Sequence, residues 1–427
     1  MTHSTHEVGR RSAKSWAGFF GTAAMLGLIC VAGNPRLAQS AEKEKGQQIS
    51  RVIAKEMTAA QKALQTGQWA EAIKNLDAAQ TKSGLTPFDQ KTIYYFTGFA
   101  DIKLNNLKAA QAAFEKSIAT GAASPEDRNS MTKTLFTIAA TTSQYQKTID
   151  YGKEMTDAGT ATTNDIAIIA QSYYQLKDCK NASLWADKAV AAARKAGEAP
   201  KENLYLFKLQ CASDAGDNAA MVPVLSDLIR LNNKSTYWNT LLRIQRQDER
   251  DDHNTLLIYR IMYDTGAMTV GSDYIEMAQL LGDAGLPGEA QTVLEKAMGA
   301  GLISDQQKER TTRLLNSFKT RAEADKKGQA QFEIEAAKNP AGERDVELGE
   351  VYYGSGDYQN AVTAINRGLQ KGQIKHTDDA YVYLGRSLVQ LKNFPDAKKA
   401  FAGLKSVPNI SPRVLKLYEL YGETVGR

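Results

Sequence analysis

Reactive chemistry is scarce in this sequence. Its 427 residues hold four histidines and three cysteines, and His3 and His6 fall at the very start. No H-E-x-x-H helix, G-x-S-x-G elbow or glycine-rich phosphate loop occurs, which removes the common motif routes to zinc hydrolysis, serine acyl transfer and nucleotide binding. The remaining histidines, His253 and His376, stand far apart beside Asp251-Asp252 and Thr377-Asp378. Each reads as a solvated side chain at the edge of a repeat, with neither a zinc set nor an acid/base partner. The acidic run ERDD at 249–252 lacks the glycine and alternating ligands of a calcium loop. No catalytic residue, cofactor or metal site is expected.

Proline is also sparse, at 10 residues, and the alternating Val, Ile and Thr of half-buried strands are rare. Little therefore opposes the helix propensity of the abundant Ala, Leu, Lys, Gln and Glu. An all-α chain is expected, and 42% apolar content is ample for a large core. A charge excess is missing as well: the formal net charge of +5 falls to +2 once Arg10, Arg11, Lys14, Arg36 and Glu7 of the first 40 residues are set aside. No basic stripe with interleaved aromatics remains, which argues against a nucleic-acid partner.

Those first 40 residues have a plan of their own. A basic start precedes an apolar stretch at 16–33, then Pro35 and the small-residue end LAQS. This is the three-part layout of a secretory leader, and the apolar stretch is shorter than the roughly 20 residues of a membrane span. Cleavage is expected after Ser40, with Ala38 three residues back from the bond. Ala13 and Lys14 behind Arg10-Arg11 speak for the general secretory route over the twin-arginine one, and Ile29 before Cys30 speaks against lipidation. The expected location is the periplasm, with any membrane contact made through a partner.

What the chain has in plenty is one phrase, repeated. TGQWAEAIKNLDAAQ, LNNLKAAQAAFEKS, LKDCKNASLWADKA, AGLPGEAQTVLEKA, GSGDYQNAVTAINRG and LKNFPDAKKAFAGL each run from a turn into a helix. Aligned on the residue that follows each turn, the units fall at Ala72, Ala110, Thr148, Ala182, Met221, Ala290, Ala361 and Ala397. The separations are 38, 38, 34, 39, 69, 71 and 36, the two long ones being near two periods. A period in the mid-thirties marks an array of helix–turn–helix units. Small residues (Gly98, Ala170, Ala278, Gly349, Gly385) let the first helix of each pair approach the second, and Leu76, Phe114, Leu294, Ile365 and Phe401 fill the space between pairs.

In detail the unit resembles the tetratricopeptide repeat. Leu348, Gly349 and Tyr352, the turn Gly356-Asp357-Tyr358, and Ala361, Ile365 and Gly368 carry the likeness in one copy. Tyr381, Gly385, Leu388, Phe394, Ala397 and Phe401 carry it in the next. The resemblance implies a right-handed superhelical α-solenoid of stacked antiparallel helix pairs. The expected organisation is a leader at 1–40, a first array at 41–303, a polar segment at 304–340, and further repeats with a terminal capping helix at 341–427. The segment at 304–340 is either a degenerate pair or a connecting helix. Residues 235–268 read as a repeat whose signature has been lost. Stretches such as YWNTLLRI and IYRIMYDTGAM further resemble exported bacterial tetratricopeptide proteins encoded beside TonB-type energy-transducing systems.

Analogy with the repeat family places Tyr95, Phe99, Gln171, Tyr174, Gln210, Gln279, Glu350, Tyr353 and Arg386 along a groove made by the first helices. They form a mixed polar and aromatic set without the dense Lys/Asn clamp that holds a carboxylate terminus. Cys179 and Cys211 lie 32 residues apart, close to one repeat, so stacking brings their helix ends together. In an oxidising compartment they pair as a disulfide worth about 3.5–4 kcal/mol by chain entropy, the alternative being two buried thiols. The expected function is a non-enzymatic periplasmic scaffold or adaptor that binds another protein of a cell-envelope complex linked to transport or energy transduction. The alternative is a module that binds cell-wall glycan or polysaccharide through groove aromatics; a hydrolase would need a constellation this inventory does not contain.

Overall fold

The computed structural model describes residues 48–247, 249–408 and 410–427. The expected leader and its cleavage site lie outside the described residues. These residues contain twenty α-helices and no strand, arranged in two compact units, one ending at Glu198 and the other spanning Ala199–Arg427. No described helix is long and apolar enough to cross a membrane.

The first unit holds α1 (Ala54–Gln65), α2 (Trp69–Gln80), α3 (Pro87–Lys103), α4 (Leu107–Ala119), α5 (Pro125–Thr141), α6 (Tyr145–Asp157), α7 (Thr163–Gln175) and α8 (Cys179–Lys195). Consecutive helices pack as antiparallel hairpins, and each hairpin packs on the next. The turn inside each hairpin follows one rule. A residue takes the left-handed conformation (Gly67, Asn105, Ser143, Lys177; φ 57° to 72°), and the next N–H donates back to the helix it has just left, as from Gln68 to the Ala63 carbonyl at 2.8 Å. This closes the first helix with a Schellman-type cap. Five residues beyond the left-handed position lie Ala72, Ala110, Thr148 and Ala182, all fully buried. Helix starts are set by side chains: Thr86 with Asp89, and Thr162 with Asp165, form capping boxes on α3 and α7.

The second unit holds α9 (Glu202–Asp214), α10 (Asn218–Leu231), α11 (Ser235–Gln247), α12 (Asp252–Asp264), α13 (Gly271–Asp283), α14 (Pro287–Gly299), α15 (Asp305–Lys338), α16 (Glu343–Gly354), α17 (Tyr358–Lys371), α18 (Thr377–Gln390), α19 (Phe394–Gly403) and α20 (Pro412–Thr424). Hairpin contact by glycine is tightest here. A Cβ on Gly349 would stand 2.3 Å from Ile365 Cγ1, and one on Gly385 would stand 2.3 Å from Phe401 Cε1. Residues 304–340 resolve into the single helix α15 of 34 residues. Its first half is held by Phe318, which lies against Gly282 of α13, and its second half by Ala336, which packs with Leu348 and Ala364. No proline interrupts it, so one helix spans where two would otherwise sit.

Residues 235–264 fold as the hairpin α11–α12, and α12 becomes the centre of the unit. Every residue from Thr255 to Met262 is buried. The reason is that α20 returns to pack on both α10 and α12. Tyr418 of α20 donates to the Leu257 carbonyl at 3.0 Å, and Arg230 of α10 pairs with Glu423 at 2.7 Å.

Candidate functional site

A helix buried on all sides forces any ionisable residue within it to find partners, because an unpaired buried charge costs several kcal/mol. Arg260 sits in the middle of α12 with 1% exposure. Its guanidinium donates to Asp379 at 2.7 Å and to the Tyr383 hydroxyl at 2.5 Å, both on α18. Arg386, one helical turn past Tyr383 and also 1% exposed, clamps Asp264 at the end of α12 with two bonds of 2.8 and 3.0 Å. It reaches Glu289 of α14 as well, and Tyr383 donates to the other oxygen of that carboxylate at 2.6 Å. The Tyr353 ring of α16 lies 4.7 Å below the Arg386 guanidinium and 5.1 Å from the Tyr383 ring.

The electrostatics follow from this placement. Burial pushes Glu289 up, but Arg386, Arg260 and the Tyr383 hydroxyl outweigh it and hold its carboxyl below the usual range. Glu350 on α16 has the opposite fate. Burial, then the nearby Asp379 and Glu289, raise its pKa well above the ordinary carboxylate value, and Arg260 opposes this only in part. Glu350, Tyr353, Arg386 and Glu289 form one wall of a cavity of ≈ 760 Å³. Its other walls carry Tyr263, Lys296, Lys319, Glu323, Lys326 and Tyr358, from α12, α14, α15 and α17. No histidine or cysteine lines it. It offers charged and aromatic faces.

The nine groove residues therefore divide. Glu350, Tyr353 and Arg386 do share a cavity wall, but two of them are corrected as open groove positions: Tyr353 is buried beneath Arg386, and Arg386 is fully engaged by two carboxylates. The sequence pattern gave no sign of this, because their partners Asp264 and Glu289 come from two other repeats. Gln210 of α9 donates within its own helix to Asp214 at 2.7 Å, and Gln279 of α13 is half-buried. In the first unit Tyr95, Phe99, Gln171 and Tyr174 are all half-buried on first helices of their hairpins. Tyr95 and Phe99 lie one turn apart on α3; Tyr95 is edge-on to Phe114 at 5.9 Å and Phe99 edge-on to Trp69 at 6.0 Å. Lys103 and Lys177 place their ammonium groups 5.3 Å over Phe99 and 5.7 Å over Tyr174. Of the cysteines, Cys179 opens α8 of the first unit, while Cys211 is buried in α9 of the second.

A second correction concerns the histidines. His253 of α12 and His376, the residue before α18, are not isolated. Their rings lie 5.3 Å apart, and His253 Nε2 is 2.7 Å from Asp378 while its Nδ1 is 3.7 Å from Asp379. One ligand atom from each of the four residues lies within 4.8 Å of the others. The sequence signal was present in the acidic residues beside each histidine, but only the packing of α12 on α18 brings the two halves together.

No protein-family model matches the sequence, and no curated protein matches it. Similar solved structures include a tetratricopeptide repeat protein from Parabacteroides merdae, at 11% identity and a TM-score of 0.31 over 63% of this chain and 99% of that one. The tetratricopeptide domain of P58(IPK) is 14% identical with a TM-score of 0.22, covering 80% and 98%. The Naa15/Naa10 complex bound to HypK-THB is 12% identical with a TM-score of 0.31, covering 86% of this chain and 61% of that one. Likeness at this level assigns no ligand or partner. The chain's own packing, with hairpins closed by left-handed turns and seated on small residues, gives each unit the fold of a tetratricopeptide-like α-solenoid.

Proposed function

We propose that this protein is a non-enzymatic scaffold which binds a segment of another protein across the first-helix face of its first unit. The observation that carries the reading is the set of half-buried rings on α3 and α7: Tyr95 and Phe99, set against Phe114 and Trp69 of the neighbouring helices, and Tyr174 beneath Lys177. Aromatic side chains held rigid in this way offer a large contact area at little further entropic cost. The equivalent face of the second unit has turned its Tyr353 and Arg386 inward, so the first unit is the better platform. Export by the leader at 1–40 puts the scaffold in the periplasm, where it serves a cell-envelope complex engaged in transport or energy transduction. The same compartment would oxidise Cys179 and Cys211 to a disulfide.

A photoreactive residue at Phe99 or Tyr174, activated in cells, is expected to capture one discrete protein, and the same probe at Tyr353 is expected to capture none. Glycan adducts without protein at both first-unit positions would move the reading to polysaccharide binding. Sequencing of the mature amino terminus checks cleavage after Ser40. Non-reducing peptide mass spectrometry checks the linked Cys179 and Cys211 peptides, and recovery of both as free thiols rejects the pairing.

A further inference from the structure

We propose that His253, His376 and Asp378, with Asp379 behind them, form a binding site for a divalent transition-metal ion of borderline softness, Zn²⁺ being the species that fits. Two imidazoles and a carboxylate converging on one point are a zinc-type donor set; magnesium and calcium take oxygen ligands instead. The donors come from two elements 123 residues apart in sequence, α12 and the start of α18. All four residues reach within 4.8 Å of one another.

The geometry needs little adjustment to accept the ion. At present a proton lies between His253 Nε2 and Asp378, whose N···O distance is 2.7 Å. A tetrahedral ion with bonds of about 2.0–2.2 Å sets its ligands about 3.3 Å apart. Replacing that proton by the metal therefore opens the pair by roughly half an ångström. His376 is exposed and precedes the first turn of α18, so its ring can turn to bring its ligand nitrogen, already within 4.8 Å of the others, onto the same ion.

Behind the ligands stands an outer support of the kind metal-binding histidines use. Asp379 stands 3.7 Å from His253 Nδ1, placed to accept from that nitrogen once Nε2 is given to the metal. The other oxygen of Asp379 is fixed by Arg260 at 2.7 Å, and Arg260 cannot move because it is buried at the centre of the unit. The two carboxylates in the first turn of α18 also offset the positive end of that helix, which by itself would repel a cation. Exposure of His376 leaves a path for the ion and for a water as fourth ligand. The bound ion would clip α12 to α18 and thus hold the second unit closed.

The test uses the full chain without an affinity tag, stripped of metal by chelator and dialysis. Zn²⁺ is titrated by calorimetry and Co²⁺ by its visible absorption, with the melting temperature followed in parallel. A single equivalent is expected to bind, to raise the melting temperature and to give tetrahedral cobalt bands. His376→Ala, at an exposed position outside the helix, is expected to weaken binding at least tenfold and to abolish the thermal shift. His253→Gln should do the same; if that variant fails to fold, Asp378→Asn takes its place. No binding by the parent chain overturns the proposal. Equal affinity in the parent and His376→Ala also overturns it, since the ion would then sit elsewhere, as on His3 and His6.

Discussion

The two units share one hairpin, yet they place their charges in opposite ways. In the first, ion pairs run between neighbouring helices near the surface: Lys133 with the buried Asp165 at 2.6 Å and Lys147 with Glu115 at 2.7 Å between successive hairpins, and Arg128 with Glu154 at 2.8 Å inside one. Each basic partner is about half exposed, and the residues are 26 to 32 apart in sequence. In the second, Arg260 and Arg386 are buried and reach partners 119 and 122 residues away. The first arrangement is the ladder of an open repeat array, in which each unit answers only to its neighbours. The second arises because α20 folds back on α10 and α12, so that residues facing a groove elsewhere become core here. Closure, more than repeat sequence, decides which of the aligned positions remain available to a partner.

The largest expected effect separates the units by their charges. Arg386→Ala leaves Asp264 and Glu289 buried without their main partner and should destabilise the second unit by about 3–5 kcal/mol. Lys147→Ala, at a pair of the first unit whose two members are both well exposed, should cost about 1 kcal/mol or less. Urea unfolding, with hydrogen exchange to locate the change, measures both; equal costs would mean the buried network is no more than a surface pair in disguise.

A second experiment asks whether the hairpin itself is common to both. Gly385→Ala drives a methyl into Phe401, which is buried on all sides, and Gly98→Ala, at the same place in the α3–α4 hairpin, drives one to 2.9 Å from Phe114 Cε2. Each should cost about 1–3 kcal/mol after the helix-propensity gain is counted. A loss confined to one unit would show that the shared architecture is not equally tight.

Smaller and specific to the second unit is the effect of Glu350. Because its folded-state pKa is raised by burial, the unfolded chain releases this proton first as pH rises. Its penalty is absent below the ordinary carboxylate value of about 4.3 and grows above it, up to the folded-state pKa. Glu350→Gln should therefore leave stability unchanged in acid and raise it at neutral pH. Midpoints of denaturation across that range that show no pH-dependent gap would mean that the cavity solvates the half-buried Glu350 as well as the unfolded chain does.

The smallest effect should again be shared. Ser143 and Lys392 hold left-handed turns at φ 57° and 58°, one in each unit, and both are exposed. Glycine at either position removes steric strain and should add up to about 1 kcal/mol, read as a rise in melting temperature.

Much of this was legible from residue spacing. The period near 36, the small residues at Ala72 through Ala397 and the glycines at Gly349 and Gly385 are local signals, and helix pairing depends on contacts within a few dozen residues. The turn that precedes each small position was visible too, even where Ser143 or Lys177 stands in place of glycine. The fates of Tyr353, Arg386, His253 and His376 were not legible, because their partners lie in other repeats, about thirty residues on for Tyr353 and more than a hundred away for Arg386 and the histidines, and no local pattern encodes those contacts.

The sequence by itself determined an all-α chain of stacked hairpins, since low proline, high helix propensity and a recurring small residue act over one or two turns. Only the tertiary structure decided which aligned positions are surface and which are core. It did so by returning α20 to α12, burying a helix that carries Arg260 and so obliging Asp379 and Tyr383 of a distant repeat to meet it, while His253 on the same helix comes beside His376.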